Sequence, residues 1–303
     1  MSIPMNAMTR RDFLWTAAIL PLALATAGES AAIAAPQEQL AQLEKTAGGR
    51  LGVCAIDMSH GAQISHRGDE RFPLCSTFKV ILVAAILTRS SRVDGLMQRR
   101  VYYKRSDLAA YSPMTERHIV DGMTVADLCA AALQYSDNTA ANILIGIVGG
   151  PAAVTEYARS IGNAEFRLDR WETDLNSSTP GDLRDTATPA SMARSLQALS
   201  CGDALPPAQT QQLNEWLRGN TTGAKRIRAA VPADWSVGDK TGSGDYGVTN
   251  DIAVLWPPQR QPIVVALYYT QDEPTAQWRD EVIAAAARIV VDGFIQSTRR
   301  PDP

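Results

Sequence analysis

Apolar and polar positions divide the chain into three regions of different character. From Arg50, Leu-Gly-Val-Cys-Ala-Ile-Asp57 is followed by Met58-Ser-His-Gly61 and then by Ala-Gln-Ile-Ser-His-Arg67, which predicts strand, turn and strand. Phe78 to Leu87 is apolar all round and predicts a buried helix. Thr124-Val-Ala-Asp127 has the form of a capping box before a helix through Gln134. Thr139 to Val148 predicts another helix, stopped by Gly149-Gly150, and Pro151 suits the first turn of the next. Further helices are expected from Thr188-Pro189 to near Gly202 and from Pro207 to Leu217. Beyond Asp234 the pattern turns strand-like at Trp235–Ser243, Asp251–Trp256 and Ile263–Thr270, and a last helix is expected from about Arg279 to Ile295.

Strands therefore occur at both ends, with helices between them. The simplest architecture pairs the terminal segments in one antiparallel sheet covered by the first and last helices. The fold class is α/β plus all-α: an antiparallel sheet flanked by helices, with an inserted all-helical lobe. The expected division is 35–68 and 218–303 for the α/β lobe and 69–217 for the helical lobe. A cleft between lobes is a natural place for a site.

Composition narrows the function. The chain has 303 residues, nearly half hydrophobic and a fifth charged, with a net charge of -3. Lys and Arg form no run longer than a pair, so nucleic acid is not an expected partner. Arg10-Arg11-Asp-Phe-Leu14 leads into an apolar run to Ala25, followed by Ala25-Thr-Ala27 and Ala32-Ile-Ala34 as A-x-A cleavage candidates. Residues 1–34 thus read as a twin-arginine signal peptide, and the mature protein is expected in the periplasm or secreted. The run falls short of the ~20 residues that span a bilayer, so no stable membrane association is expected. No large interaction segment is evident, and a monomer is expected. Cys54, Cys75, Cys129 and Cys201 show no framework spacing and read as mostly buried free thiols.

Four short motifs carry chemistry. In Ser76-Thr-Phe-Lys79, the serine stands where a loop enters a helix and the lysine lies one turn on, on the same face. A lysine in an apolar helix needs partners or a depressed pKa, and either makes it a proton acceptor for Ser76. Ser136-Asp-Asn138 lies at a break between helices. Lys240-Thr-Gly242, with Ser243 beside it, suits a carboxylate, and the Ser243 N–H suits an oxyanion. Glu172-Thr-Asp-Leu-Asn176 lies in a compact loop whose ends Arg170 and Asp185 can clamp; its carboxylate and amide together can position and deprotonate a water.

With Cys75-Ser-Thr-Phe-Lys79, Ser136-Asp-Asn138, Glu172-x-x-Leu-Asn176 and Lys240-Thr-Gly242 in this order and at matching separations, nearly the whole mature chain resembles class A serine β-lactamases. Arg170-Trp-Glu172 and Gly181-Asp-Leu-Arg-Asp185 resemble that family's Ω-loop, near 170–185. The resemblance implies the β-lactamase/transpeptidase-like fold and a small-molecule β-lactam substrate. It implies hydrolysis of the β-lactam amide of penicillins and cephalosporins, and hence antibiotic resistance. By that likeness Ser76 is the nucleophile, and Lys79 relays its proton directly or with Glu172 through a water. The Ser76 and Ser243 N–H groups form the oxyanion hole. Glu172 and Asn176 activate the deacylating water, and Ser136 passes a proton to the leaving nitrogen. Asn138 binds the substrate's side-chain amide, Lys240, Thr241 and Ser243 face its carboxylate, and Tyr111 walls the cleft.

Arg226 resembles the arginine that carbapenem-hydrolysing members use, which adds it to the substrate-binding set. Those enzymes pair the Cys before the nucleophile with one after Lys-Thr-Gly; here Gly244 stands there, and Ser243-Gly-Asp-Tyr246 resembles the cefotaxime-hydrolysing group. Cys129 resembles half of another family disulfide, with Val83 at its partner's position, so neither bridge is expected.

The nearest alternative is a D,D-peptidase or penicillin-binding sensor, which generally lacks the Glu172–Asn176 pair. No metal or other cofactor is expected, because His60, His66 and His118 lack ligand spacing. No G-x-S-x-G occurs. Gly242-x-Gly244-x-x-Gly247 precedes a strand rather than a helix, which excludes a dinucleotide site.

Overall fold

The first element is a helix that the pattern above leaves unassigned. In the structure, a computed structural model that describes residues 35–297, helix α1 spans Pro36–Ala47. Proline at its start has the fixed φ a first turn wants. Leu40, Leu43 and Ala47 repeat at helical spacing, but polar residues separate them, so no apolar run announces the helix. The twin-arginine segment and the cleavage candidates in 1–34 lie outside the described residues.

Strands β1 (Arg50–Asp57) and β2 (Gln63–His66) follow as the predicted hairpin, then the short β3 (Phe72–Pro73). A 3-10 turn, Cys75–Phe78, leads into α2 (Lys79–Ser90). The short β4 (Arg100–Val101) and β5 (Met123–Thr124) pair with each other. Then come α3 (Val125–Gln134), α4 (Asn138–Val148) and α5 (Pro151–Ser160). Strand β6 (Thr186–Ala187) pairs with β3. Helices α6 (Pro189–Ser200) and α7 (Pro207–Arg218) complete the helical part. Strands β7 (Ser236–Ser243), β8 (Thr249–Trp256) and β9 (Ile263–Thr270) and helix α8 (Asp280–Ser297) close the described chain.

Local chemistry sets most helix ends. Thr124 and Asp127 form the expected capping box on α3. Asp137 caps α4 through Ala140 N, and Gly149 ends it in the left-handed region at φ 115°, where a Cβ would be strained.

The main sheet runs β2-β1-β9-β8-β7, antiparallel throughout. Arg50 pairs with Thr270 and Asp57 with Ile263, so the two ends of the chain meet in the middle of the sheet. Alternation decides which face each residue serves. Leu51, Val53 and Ala55 of β1 join Leu255, Val265 and Leu267 under α1 and α8. Cys54, Ile56, Ile252, Val264 and Tyr268 face the other way, into the core built with the helices from α2 to α7. Both faces are covered, so β1 and β9 read as continuous apolar runs.

Two boundaries differ from expectation. The predicted cover of the sheet's outer face comes from α1 and α8, while the first helix visible as an apolar run, α2, lies in the helical layer. Strand β8 begins at Thr249 rather than Asp251, because Thr249 and Asn250 pair with Ser243 and Gly242. That pairing extends β7 through the whole Lys240–Ser243 segment. The four cysteines are free: Cys54, Cys75 and Cys129 are buried and Cys201 is half-buried.

Candidate active site

Ser76 lies in the 3-10 turn between β3 and α2, and several bonds fix that turn. Thr77 Oγ1 donates to Leu74 O at 2.7 Å, Leu74 N donates to Asp185 O at 2.8 Å, and Asn250 Nδ2 donates to Pro73 O at 2.8 Å. Gly242 of β7 runs against the turn; a Cβ there would meet Leu74 O at 2.9 Å, so only glycine permits the approach. Cys75, Tyr111 and Ser136 hold φ of 42°, 60° and 58°, a conformation that costs about 1–3 kcal/mol each and marks this region as one where geometry is imposed.

Lys79 is wholly buried and aims its ammonium at the site. Nζ donates to Ser76 Oγ at 2.9 Å, to the Ser136 carbonyl at 2.9 Å and to Asn138 Oδ1 at 2.6 Å, and it stands 2.9 Å from Glu172 Oε1. The buried lysine therefore has the partners that its charge requires. Ser76 Oγ is also 3.4 Å from Glu172 Oε1. The serine hydroxyl thus touches both an amine and a carboxylate, the arrangement an activated nucleophile needs. Burial pushes the neighbouring Cys75 thiol up to about 12, so at neutral pH it is no rival nucleophile.

Ser136 Oγ lies between two lysines, 3.4 Å from Lys79 Nζ and 3.0 Å from Lys240 Nζ. Burial, helped by the charge of Lys79, holds the Lys240 ammonium well below the usual lysine range. Between Ser136 and Asn138, Asp137 is structural: its carboxylate accepts from Thr115 N at 2.9 Å and Met114 N at 3.0 Å and so ties down the loop that carries Tyr111. Asn138 is partly committed inside the protein, since Nδ2 donates to Ala110 O at 2.8 Å.

Glu172 is held from both sides. Asn176 Nδ2 donates to Glu172 Oε2 at 2.6 Å. Asn142 on α4 grips the backbone, accepting from Glu172 N at 2.9 Å and donating to Glu172 O at 2.8 Å. Asn142 belongs to no motif, and no sequence signal marks it. The loop carrying Glu172 is closed by the expected clamp: Arg170 Nε donates to Asp185 Oδ2 at 2.6 Å, and Asp185 Oδ1 accepts from the Asp169 and Arg170 N–H groups at 2.7 and 2.9 Å. Asp185 is completely buried. Arg170→Ala leaves that carboxylate without its cation and is expected to destabilise the protein by about 3 kcal/mol, read as a lowered urea midpoint. An unchanged midpoint would show that the clamp carries no stability.

On the opposite wall, β7 is the outermost strand. Gly244 N donates to Val248 O at 3.2 Å, and Ser243 pairs with Thr249. Hydrogen-bonded and non-bonded pairs alternate along an antiparallel ladder, so the Ser243 N–H points off the free edge. Arg226, placed in the substrate-binding set from the sequence, lines the cleft. Its guanidinium donates to Gly242 O, Asn250 O, Ser243 Oγ and Asp280 Oδ1 at 2.7–2.8 Å, which fixes Ser243 and the end of β7.

These walls enclose a cleft of about 400 Å³. Ser76, Tyr111, Ser136, Asn138, Asn176, Arg226, Thr241 and Ser243 line it; Lys79, Glu172 and Lys240 lie just beneath, bonded to the liners. Thr222, Trp278 and Asp280 line it as well, and no motif singled them out.

The geometry agrees with the comparisons. Residues 35–294 match the model of the β-lactamase enzyme family. The chain is 53% identical to the β-lactamase OXY-1 of Klebsiella oxytoca over 94% of this chain and 98% of that one. It is 53% identical to the β-lactamase CTX-M-25 of Escherichia coli, over 96% of this chain and all of the other. A solved variant of the class A β-lactamase of the last common ancestor of Gram-negative bacteria superposes with a TM-score of 0.84 at 57% identity, over 86% of this chain and all of that one. By its fold, its family match and its relatives along nearly the full length, the chain belongs to the class A β-lactamases, enzymes that hydrolyse β-lactams.

Proposed function

We propose that the enzyme opens penicillins and cephalosporins through an acyl-enzyme on Ser76. One observation carries this reading: Ser76 Oγ contacts Lys79 Nζ and Glu172 Oε1 at once, while Asn176 holds the second oxygen of Glu172. In acylation Ser76 Oγ attacks the lactam carbonyl, and its proton leaves through the Lys79–Glu172 pair. The Ser76 and Ser243 N–H groups take the developing oxyanion. The C–N bond then breaks, and the nitrogen takes a proton from Ser136 Oγ, which Lys79 beside it restores.

Deacylation needs a second nucleophile. Among the described residues, Asn176 Oδ1 is buried without a hydrogen-bond partner, beside the carboxylate of Glu172. A water accepted there would donate to both groups, as every buried polar atom seeks a partner. Glu172 takes its proton as it attacks the ester, Ser76 Oγ leaves and regains a proton, and the ring-opened acid departs. Lys240, Thr241 and Ser243 hold the substrate carboxylate, Asn138 meets the side-chain amide, and Tyr111 walls the cleft.

Rapid acid quench of the wild-type enzyme during turnover tests the reading. A substrate-mass adduct on the peptide containing Ser76 is expected; turnover with no trapped ester on that peptide contradicts it. From the Arg10-Arg11 segment and the apolar run after it we also propose that the enzyme is exported by the twin-arginine route, to the periplasm or the outside, and works as a monomer. Replacing both arginines by lysine is expected to retain activity in the cytoplasmic fraction, and undiminished export would refute the twin-arginine route.

A further inference from the structure

The cleft continues past Ser243. A second cavity of about 470 Å³ adjoins it, and the two share Asn176, Ser243 and Trp278. The Trp278 indole is 59% exposed, which is unusual for the largest apolar side chain, yet its position is set. Nε1–H donates to Gly244 O at 3.0 Å, and the backbone on either side is tied: Gln271 Nε2 donates to Gln277 O at 2.9 Å, and Arg279 N donates to Thr249 Oγ1 at 2.9 Å. A π face is therefore presented beside Ser243 on a loop fastened to β7 and β8.

The charged side chain that shares the second cavity with that face is acidic. Asp245 lines the second cavity, and Asp272 and Glu273 precede its Pro274–Gln277 wall. None of these three carboxylates is in a salt bridge with another described residue. The two arginines nearby are already matched, Arg226 by Asp280 and Arg279 by Glu281. An exposed indole that shares a cavity with the unmatched Asp245 carboxylate favours a flat cation.

We propose that Trp278 is a stacking platform for a cationic heterocycle carried by the substrate next to its carboxylate, so that the enzyme favours cephalosporins bearing such a group at C3. This rests on the reading that Lys240, Thr241 and Ser243 hold the carboxylate. In a cephalosporin, C3 adjoins the carbon that bears that carboxylate. Seating the carboxylate at Ser243 therefore brings the C3 substituent to the wall that Trp278 shares with it.

The test uses two cephalosporins with the same acyl side chain, one with a pyridiniomethyl and one with an acetoxymethyl group at C3. Trp278→Phe and Trp278→Leu both lose the Nε1–H bond to Gly244, but only phenylalanine keeps a π face. The kcat/KM ratio of cationic over neutral substrate is expected to fall about fivefold in the leucine enzyme and to stay within twofold of wild type in the phenylalanine enzyme. An equal fall in both variants would assign the effect to the lost bond or to bulk, and an unchanged ratio in both would exclude stacking; either overturns the proposal. Thr241→Val with the neutral substrate keeps the two readings apart: an unchanged KM sinks the carboxylate reading whatever the ratio does in the Trp278 variants.

Discussion

The Ser76→Ala enzyme is expected to fold normally and to lose β-lactam turnover by on the order of 10⁶-fold, as nucleophile deletions do where the machinery acts as a unit. No neighbour can take its place. The Cys75 thiol is buried with its pKa raised to about 12. Thr77 Oγ1 is bonded to Leu74 O and stands by the Tyr268 hydroxyl. Ser136 Oγ faces two lysines, which suits proton delivery, and among the described residues no carboxylate bonds to it. Loss of β-lactam absorbance under steady-state conditions measures the effect, with circular dichroism confirming the fold. A residual rate within 100-fold of wild type would place the nucleophile elsewhere.

Glu172→Gln is expected to have the second large effect, and on a different step. The amide keeps the volume, and its one oxygen can still accept from Lys79, which also keeps the Ser136 carbonyl and Asn138 Oδ1. The amide cannot accept a proton from water. Loss of a general base typically slows its step by about 10²–10⁴-fold. Acylation has Lys79 in contact with Ser76 Oγ and is expected to suffer less. Covalent enzyme then accumulates, and kcat and KM fall together. Steady-state kinetics with a cephalosporin separates the cases: a fall in kcat with KM unchanged or raised would mean that Glu172 serves acylation instead.

The site was legible in the sequence to the extent that its chemistry prescribes residue types at short spacing. Ser76 and Lys79 share a helical turn, and Glu172 and Asn176 share a small loop turn, so each pair meets locally before the fold is complete. Lys240, Thr241 and Ser243 lie along one strand. The Arg170–Asp185 clamp was visible for the same reason, as the ends of one loop. What escaped depends on tertiary placement. Asn142 is unremarkable on α4 until the loop of Glu172 packs against it. Trp278 and Asp280 reach the cleft only because β7, β8 and α8 converge there. Arg226 was visible, but its hydrogen bonds were not, since its acceptors lie on three separate segments. Helix α1 was missed because its apolar stripe is narrow, although Glu44 on it is fixed by Arg67 Nε at 2.7 Å and Leu51 N at 2.8 Å.

The central claim is that an ester forms on Ser76 and that Glu172 removes it. Intact mass spectrometry of the Glu172→Gln enzyme, mixed with a cephalosporin and followed over minutes beside the wild type, tests this most directly. The account predicts that the variant becomes stoichiometrically heavier by one acyl group, mapped to the peptide containing Ser76, while the wild type turns over and returns to its free mass. A variant that stays unmodified, or a wild type that keeps a long-lived adduct without turnover, would contradict it.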